Sequence, residues 1–423
     1  MISKIAIIGS GPIGIEAALY GSVAGHDVHL FERGRLGENV RQWGHVRLFT
    51  EWKRDRSPLA VRLLTERGDH LPDGETWPTG ARLGDYLTRL ASLDALKSRI
   101  SPQTEVLSIA REAALKSDFY QSEKRASRPF RLLTKGIAGE KIRHFDAVID
   151  ATGVYQSPNF AGNGGMPAPG EIGLGKFIDY AIPDVKGADN PRFFNKHALV
   201  IGSGHSAAST LLAIADYFEK GPRTRVTWVV RRDVAQNGAV YAFDPNDVSS
   251  GRQKLGSLAN ELVKEERVDF RPRTLVEAIE RRANRFTVTL SGGEKIECDT
   301  ICAHTGFRPD ETLWKELQIA PHAATGAPSP LLAEELHGAN LRAGVGLSTG
   351  YAEKLGAFQR PENESKLDST ELLKLIEPNF YVVGIKSYGR DAGFLMQNGF
   401  RQVRDVYKLL SGDMTLDLYN GEI

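Results

Sequence analysis

The sequence predicts an α/β fold of two parallel-sheet units, because one pattern occurs in it twice. Residues 4–33 run as apolar strand, glycine turn, helix and second apolar strand, and residues 197–233 repeat that order. A third observation completes the prediction: residues 379–413 carry a strand, a glycine and a helix of the kind that returns to close an open sheet.

In the first repeat, the apolar run 5–8 leads into Gly9, Gly11 and Gly14 at G-x-G-x-x-G spacing, with Pro12 and Ile13 opening the helix. Gly9 allows a tight turn, Gly11 lets backbone N–H groups approach a pyrophosphate, and Gly14 lets helix and strand pack closely. The positive end of the helix dipole then faces the phosphates. Glu32 closes the second strand eighteen residues after Gly14, where an acid can take both hydroxyls of an adenosine ribose. A lone glycine motif is common in proteins; here strand, glycines, helix, strand and acid fall in order, which marks a Rossmann-like dinucleotide-binding domain.

Residues 33–52 are rich in Arg, Gly and aromatics without a clean period, so they read as a long loop with short ordered pieces. A loop leaving the tip of the second strand lies beside the cofactor. Arg33, Arg41 and Trp43 are therefore expected to contact it, and His45 and Arg47 to act near the reacting centre as proton carrier and charge stabiliser. Residues 77–96 have the pattern of an amphipathic helix, and residues 105–136 that of a small antiparallel segment. Residues 142–151 read as one buried strand ending at Ala151, Thr152 and Gly153, small residues that let the chain cross close over a cofactor.

In the second repeat, Gly202, Gly204 and Ala207 hold the three fingerprint positions, with His205 and Ser206 between them. Arg231 and Arg232 end its second strand where the first repeat has Glu32. Guanidinium groups there suit the 2′-phosphate of NADPH, and Asp233 beside them keeps NADH open. Residues 268–310 alternate like a meander of strands. In the last segment Gly384 and Asp391 precede a helix whose N-terminus suits a ring carbonyl that gains negative charge.

The whole chain sets bounds on function. Its 423 residues suffice for two or three domains. Lys plus Arg number 54 and Asp plus Glu 53, so no strong field recruits nucleic acid or a membrane surface. No apolar run approaches the length of a membrane span, and the first strand begins by residue 4, leaving no room for a leader; a cytoplasmic location is expected. The ten histidines show no close ligand spacing, so no metal is expected. The two cysteines, Cys298 and Cys302, read as lying on one strand roughly 13 Å apart, too far for a disulfide.

This order of parts resembles the flavoproteins with two dinucleotide-binding domains, in which the FAD domain is discontinuous and the NAD(P)H domain is inserted. The boundaries that follow are 1–175 and 331–423 for the FAD domain and 176–330 for the NAD(P)H domain. Within that group the chain is most similar to the class B flavin-containing monooxygenases, through residues 150–153, Pro158, the turn 202–207 and residues 304–309. Thr50 stands where many of them place an asparagine near the flavin. The resemblance implies FAD at Gly9, Gly11, Gly14 and Glu32, and NADPH at Gly202, Gly204, Ala207 and Arg231. It implies a monooxygenase that reduces flavin with NADPH and inserts one atom of O2 into a small organic substrate through a C4a-peroxyflavin. The alternative is an NAD(P)H-dependent flavoprotein reductase serving a small acceptor or a partner protein. Self-association is left open.

Overall fold

The computed structural model describes residues 3–234, 239–241, 250–342 and 368–423. The chain divides into two compact units, Met1–Ser157 with Arg308–Ile423, and Pro158–Phe307.

The first unit is built on a parallel sheet. Its strands are β1 (Lys4–Ile8), β2 (Asp27–Phe31), β3 (Ile100–Ser101), β7 (Ala147–Asp150) and β16 (Phe380–Val382), in the order β16-β7-β1-β2-β3. β1 and β7 are apolar almost throughout and buried, as central parallel strands covered on both faces must be. Helix Pro12–Val23 and the C-terminal helix Met396–Ser411 pack against each other, and Tyr407 donates from its hydroxyl to the Ala17 carbonyl at 2.7 Å. Helix Gly80–Ala91, capped by Thr79, lies within residues 77–96. A second, antiparallel sheet joins β4 (Glu105–Arg111), β5 (Phe130–Gly136) and β6 (Gly139–Phe145).

The second unit repeats the plan. β8 (Ile178–Asp179), β9 (His197–Ile201), β10 (Arg225–Val230), β11 (Asp269–Pro272) and β15 (Thr300–Ala303) form a parallel sheet in the order β11-β10-β9-β15-β8. β12 (Val276–Arg282), β13 (Arg285–Leu290) and β14 (Lys295–Cys298) form an antiparallel one.

Two segments read as single strands are each two. Residues 142–151 divide at Asp146, whose N–H donates to the Lys4 carbonyl while its carboxylate accepts the Lys4 N–H, both at 2.8 Å. Asp299 repeats this on His197, again at 2.8 Å in both directions. Each aspartate ends an antiparallel strand and steers the chain into the parallel sheet. Cys298 and Cys302 therefore lie on strands of different sheets.

The crossings between units also fall earlier than the expected 175 and 330. Residues 159–175 fold onto the second unit: Glu171 accepts the N–H groups of Ala161 and Ala168 at 2.7 and 2.8 Å, and Gly162 bridges to Val276. Residues 308–330 return to the first, where Trp314 is buried with Ile109 and Phe380. Among the described residues no helix is long and apolar enough to cross a membrane.

Candidate functional site

In the first turn each glycine has a distinct steric reason. Gly9 sits at φ +96°, and a Cβ there would lie 2.8 Å from the Ala151 carbonyl oxygen. A Cβ on Gly14 would lie 1.9 Å from the Gly9 oxygen, so helix and strand could not approach with any side chain there. Gly11 is different: nothing lies within 4 Å of its Cβ position. It precedes helix Pro12–Val23, which has Pro12 in its first turn and no side-chain cap, so its first N–H groups open onto free space. That cradle fits a pyrophosphate.

Glu32 stands at the lip of the turn. Its Oε2 accepts the N–H and hydroxyl of Ser10 at 2.8 and 2.7 Å, and Oε1 accepts the Gly34 N–H at 2.7 Å. Four residues expected beside a cofactor have other contacts. Arg41 spends its guanidinium on Leu36, Gly84, Asp85 and Thr88, tying helix Glu38–Gln42 to helix Gly80–Ala91. Trp43 packs over Gly80, where a Cβ would meet its ring at 2.7 Å. Arg33 is exposed, 3.6 Å from Glu105. Thr152 donates from its N–H and hydroxyl to Asp150 Oδ1 at 3.0 and 2.7 Å. His45 and Arg47 are exposed; Arg47 bridges by its backbone to Thr79, and neither side chain has a partner among the described residues.

Asp150 anchors a buried cluster that the sequence did not reveal. Lys386 Nζ donates to Asp150 Oδ2 at 2.7 Å and to Thr152 Oγ1 at 2.9 Å, and lies 4.5 Å from the centre of the Trp314 ring. Trp314 Nε1 donates to the same Oδ2 at 2.8 Å. The partners are 164 and 236 residues from Asp150, beyond the reach of any local pattern. The cluster ties the crossover at Thr152 and Gly153 to the turn Gly384–Tyr388. Gly384, at φ +75°, lies against Ile13, and its N–H donates to Gln402 Oε1 at 2.9 Å. Ile13 also fills the space beside Gly399, so both ends of the Asp391 loop reach the fingerprint helix.

The second turn has the same backbone. Gly202 sits at φ +119° with its Cβ position 2.2 Å from the His304 oxygen, Ala207 is buried, and the Gly204 position is open. Helix His205–Ala215 likewise lacks a side-chain cap, and Ser206 lies in its first turn. Tyr241 donates from its hydroxyl to the Gly204 carbonyl at 2.8 Å, its ring 5.5 Å from that of His205. At the end of β10, Arg231 is exposed and Arg232 donates to the Val240 carbonyl at 3.1 Å. Asp233 accepts the Val234 N–H at 2.9 Å and lies 3.9 Å from Arg273.

Both cysteines are free and fully buried. Burial pushes the Cys298 thiol up to about 12 and the Cys302 thiol well above its ordinary value, so neither supplies a thiolate.

Residues 3–326 match the pyridine nucleotide-disulphide oxidoreductase family. The chain belongs to it. As a member it is a two-domain flavoprotein oxidoreductase of the pyridine-nucleotide type. No curated protein sequence matches the chain. Among solved structures it is similar to the bacillithiol disulfide reductase of Bacillus cereus, at 17% identity and a TM-score of 0.67 over 97% of this chain and 99% of that one. The thioredoxin reductase of T. acidophilum is 15% identical, with a TM-score of 0.56 over 98% and 99%. An ornithine N-hydroxylase from Kutzneria is 16% identical, with a TM-score of 0.59 over 97% and 99%. At these identities the likeness is one of fold, shared by reductases and hydroxylases alike.

Proposed function

We propose that this protein is an FAD-dependent monooxygenase that oxidises NADPH and places one atom of O2 in a small organic substrate. The observation that carries the FAD and NADPH assignment is the opposite charge at two matching turns. Glu32 ends the first, where a carboxylate suits ribose hydroxyls and repels a 2′-phosphate. Arg231 ends the second, with Arg232 and Arg273 beside it and Asp233 near Arg273, an arrangement that favours the 2′-phosphate of NADPH over NADH.

On this reading the unit Met1–Ser157 with Arg308–Ile423 is the FAD domain and Pro158–Phe307 the NADPH domain. Gly9, Gly11, Gly14 and Glu32 hold the FAD pyrophosphate and ribose; Gly202, Gly204 and Ala207 hold that of NADPH. Bound FAD would supply hydride acceptance and the two-electron reduction of oxygen. The chain supplies the rest. The uncapped N-terminus of helix Met396–Ser411 would offer N–H groups to a ring carbonyl that gains charge. Lys386 and Asp150 hold the crossover in place. Arg47 is available to an anionic group.

Oxygen is favoured over disulphide chemistry because the cysteines are buried, unpaired and on different sheets. The hydroxylase and flavin monooxygenase among the fold neighbours are in keeping with this. The test is to bleach the protein anaerobically with NADPH, admit oxygen in the presence of an amine, a thioether or a ketone, and count peroxide. With a true substrate, peroxide falls well below one per NADPH. One peroxide per NADPH with all three classes would overturn oxygen insertion and leave a reductase.

A further inference from the structure

Helix Pro330–Arg342 brings His337 to the Asp391 loop. His337 Nε2 lies 3.3 Å from Asp391 Oδ2, and the two side chains are 13% and 5% exposed. Nε2 is buried without an aligned hydrogen bond, a looseness common in unliganded proton-transfer pairs. Asp391 Oδ1 is occupied by the Gly393 N–H at 3.0 Å, which leaves Oδ2 for the imidazole.

Packed turns connect the pair's surroundings to the fingerprint helix. The helix packs on the turn Gly384–Tyr388, whose first residue lies against Ile13. Arg390 N–H donates to the Thr325 carbonyl at 2.9 Å, and a Cβ on Gly389 would lie 2.4 Å from that same oxygen, so the loop backbone has one seat. Past Asp391 the chain enters helix Met396–Ser411, where Gly399 again meets Ile13. A carboxylate on one imidazole nitrogen and no partner on the other, among the described residues, is the arrangement of a group that passes a proton to something else.

We propose that His337 delivers the proton consumed in the reaction with oxygen, with Asp391 as its positioning residue; this rests on the FAD and NADPH reading above. The balance requires one such proton on either outcome at oxygen. With substrate S, the sum is S + O2 + NADPH + H⁺ → SO + H2O + NADP⁺. Without it, the sum is O2 + NADPH + H⁺ → H2O2 + NADP⁺. In both, NADPH loses a hydride, whose two electrons pass to oxygen; in the first sum S gives oxygen two more as it becomes SO. The proton leaves His337 Nδ1, and solvent restores it after turnover. Hydride transfer from NADPH needs no proton from the protein, so the two half-reactions separate the role.

The experiment uses the holoprotein and its His337→Ala, His337→Gln and Asp391→Asn variants. Each is bleached anaerobically with NADPH and then mixed with oxygen. The expected result is bleaching within about twofold of the unaltered protein, and a reaction with oxygen about a hundredfold slower in both His337 variants. Imidazole in the buffer restores His337→Ala, and Asp391→Asn is slowed less. A normal oxygen step in the His337 variants overturns the proposal, as does a loss of flavin from His337→Gln and Asp391→Asn alike, which would assign the pair to holding the loop. An unaltered protein that NADPH does not bleach is a separate failure, that of the cofactor reading, and removes this proposal with it.

Discussion

Replacing Glu16 with glutamine should change how the protein's stability depends on pH. Glu16 lies on the buried face of helix Pro12–Val23, where its Oε1 accepts the Tyr419 hydroxyl at 2.9 Å and so pins the C-terminal segment to the fingerprint helix. Desolvation pushes its carboxyl from the ordinary 4.5 up to about 7, opposed by hydrogen bonds from Ser57 and Tyr419. Between those values the unfolded chain has released the proton while the folded chain still holds it. The folded state therefore binds more protons, and stability falls as pH rises. The contribution is complete below 4.5 and lost by about 7, and at about 1.4 kcal/mol per pH unit it amounts to about 3 kcal/mol. Glutamine keeps an acceptor for Tyr419 and has nothing to titrate. Urea unfolding of both proteins at pH 4.5 and pH 7.5 gives the comparison. Asp55, pushed up to about 7 by its own burial, contributes to both and cancels in the difference. The Glu16→Gln protein should gain about 3 kcal/mol relative to the original across that range. A difference that stays constant with pH would refute the reasoning.

Three further outcomes follow from the same physics. Glu377 joins Arg111 and Arg125 in a fully buried triad, so Glu377→Ala leaves two buried guanidinium groups unpaired and should cost about 3–5 kcal/mol in urea unfolding. Arg231→Ala should raise the KM for NADPH about tenfold to a hundredfold in steady-state kinetics and leave that for NADH unchanged. A thiol reagent should label neither cysteine in the native protein and both in denaturant, because Cys298 and Cys302 are buried with raised pKa values; rapid native labelling would reopen thiol chemistry.

The parts legible in the sequence were those whose constraints are local. A turn that needs φ > 0 at Gly9 and Gly202, and no Cβ at Gly14, writes itself into three or six consecutive residues. The chain breaks at Asp146 and Asp299 were not legible, since two short strands separated by one aspartate carry the same apolar pattern as one longer strand. Only the pairing of each aspartate with the first residue of a distant strand divides them. Arg41 shows the converse: an arginine in a cofactor-side loop looks available until helix Gly80–Ala91 is placed against it. Trp314 and Lys386 meet Asp150 across the fold, and His337 meets Asp391, pairings that no local pattern encodes, so packing alone reveals them.

The measurement that bears most directly on the central claim is the cofactor content of the purified protein. The two cradles, one ended by Glu32 and the other by Arg231, predict one FAD per chain, bleached anaerobically by NADPH faster than by NADH. A folded but colourless protein that takes up no added FAD, or a bound flavin that neither nucleotide bleaches, would contradict the account.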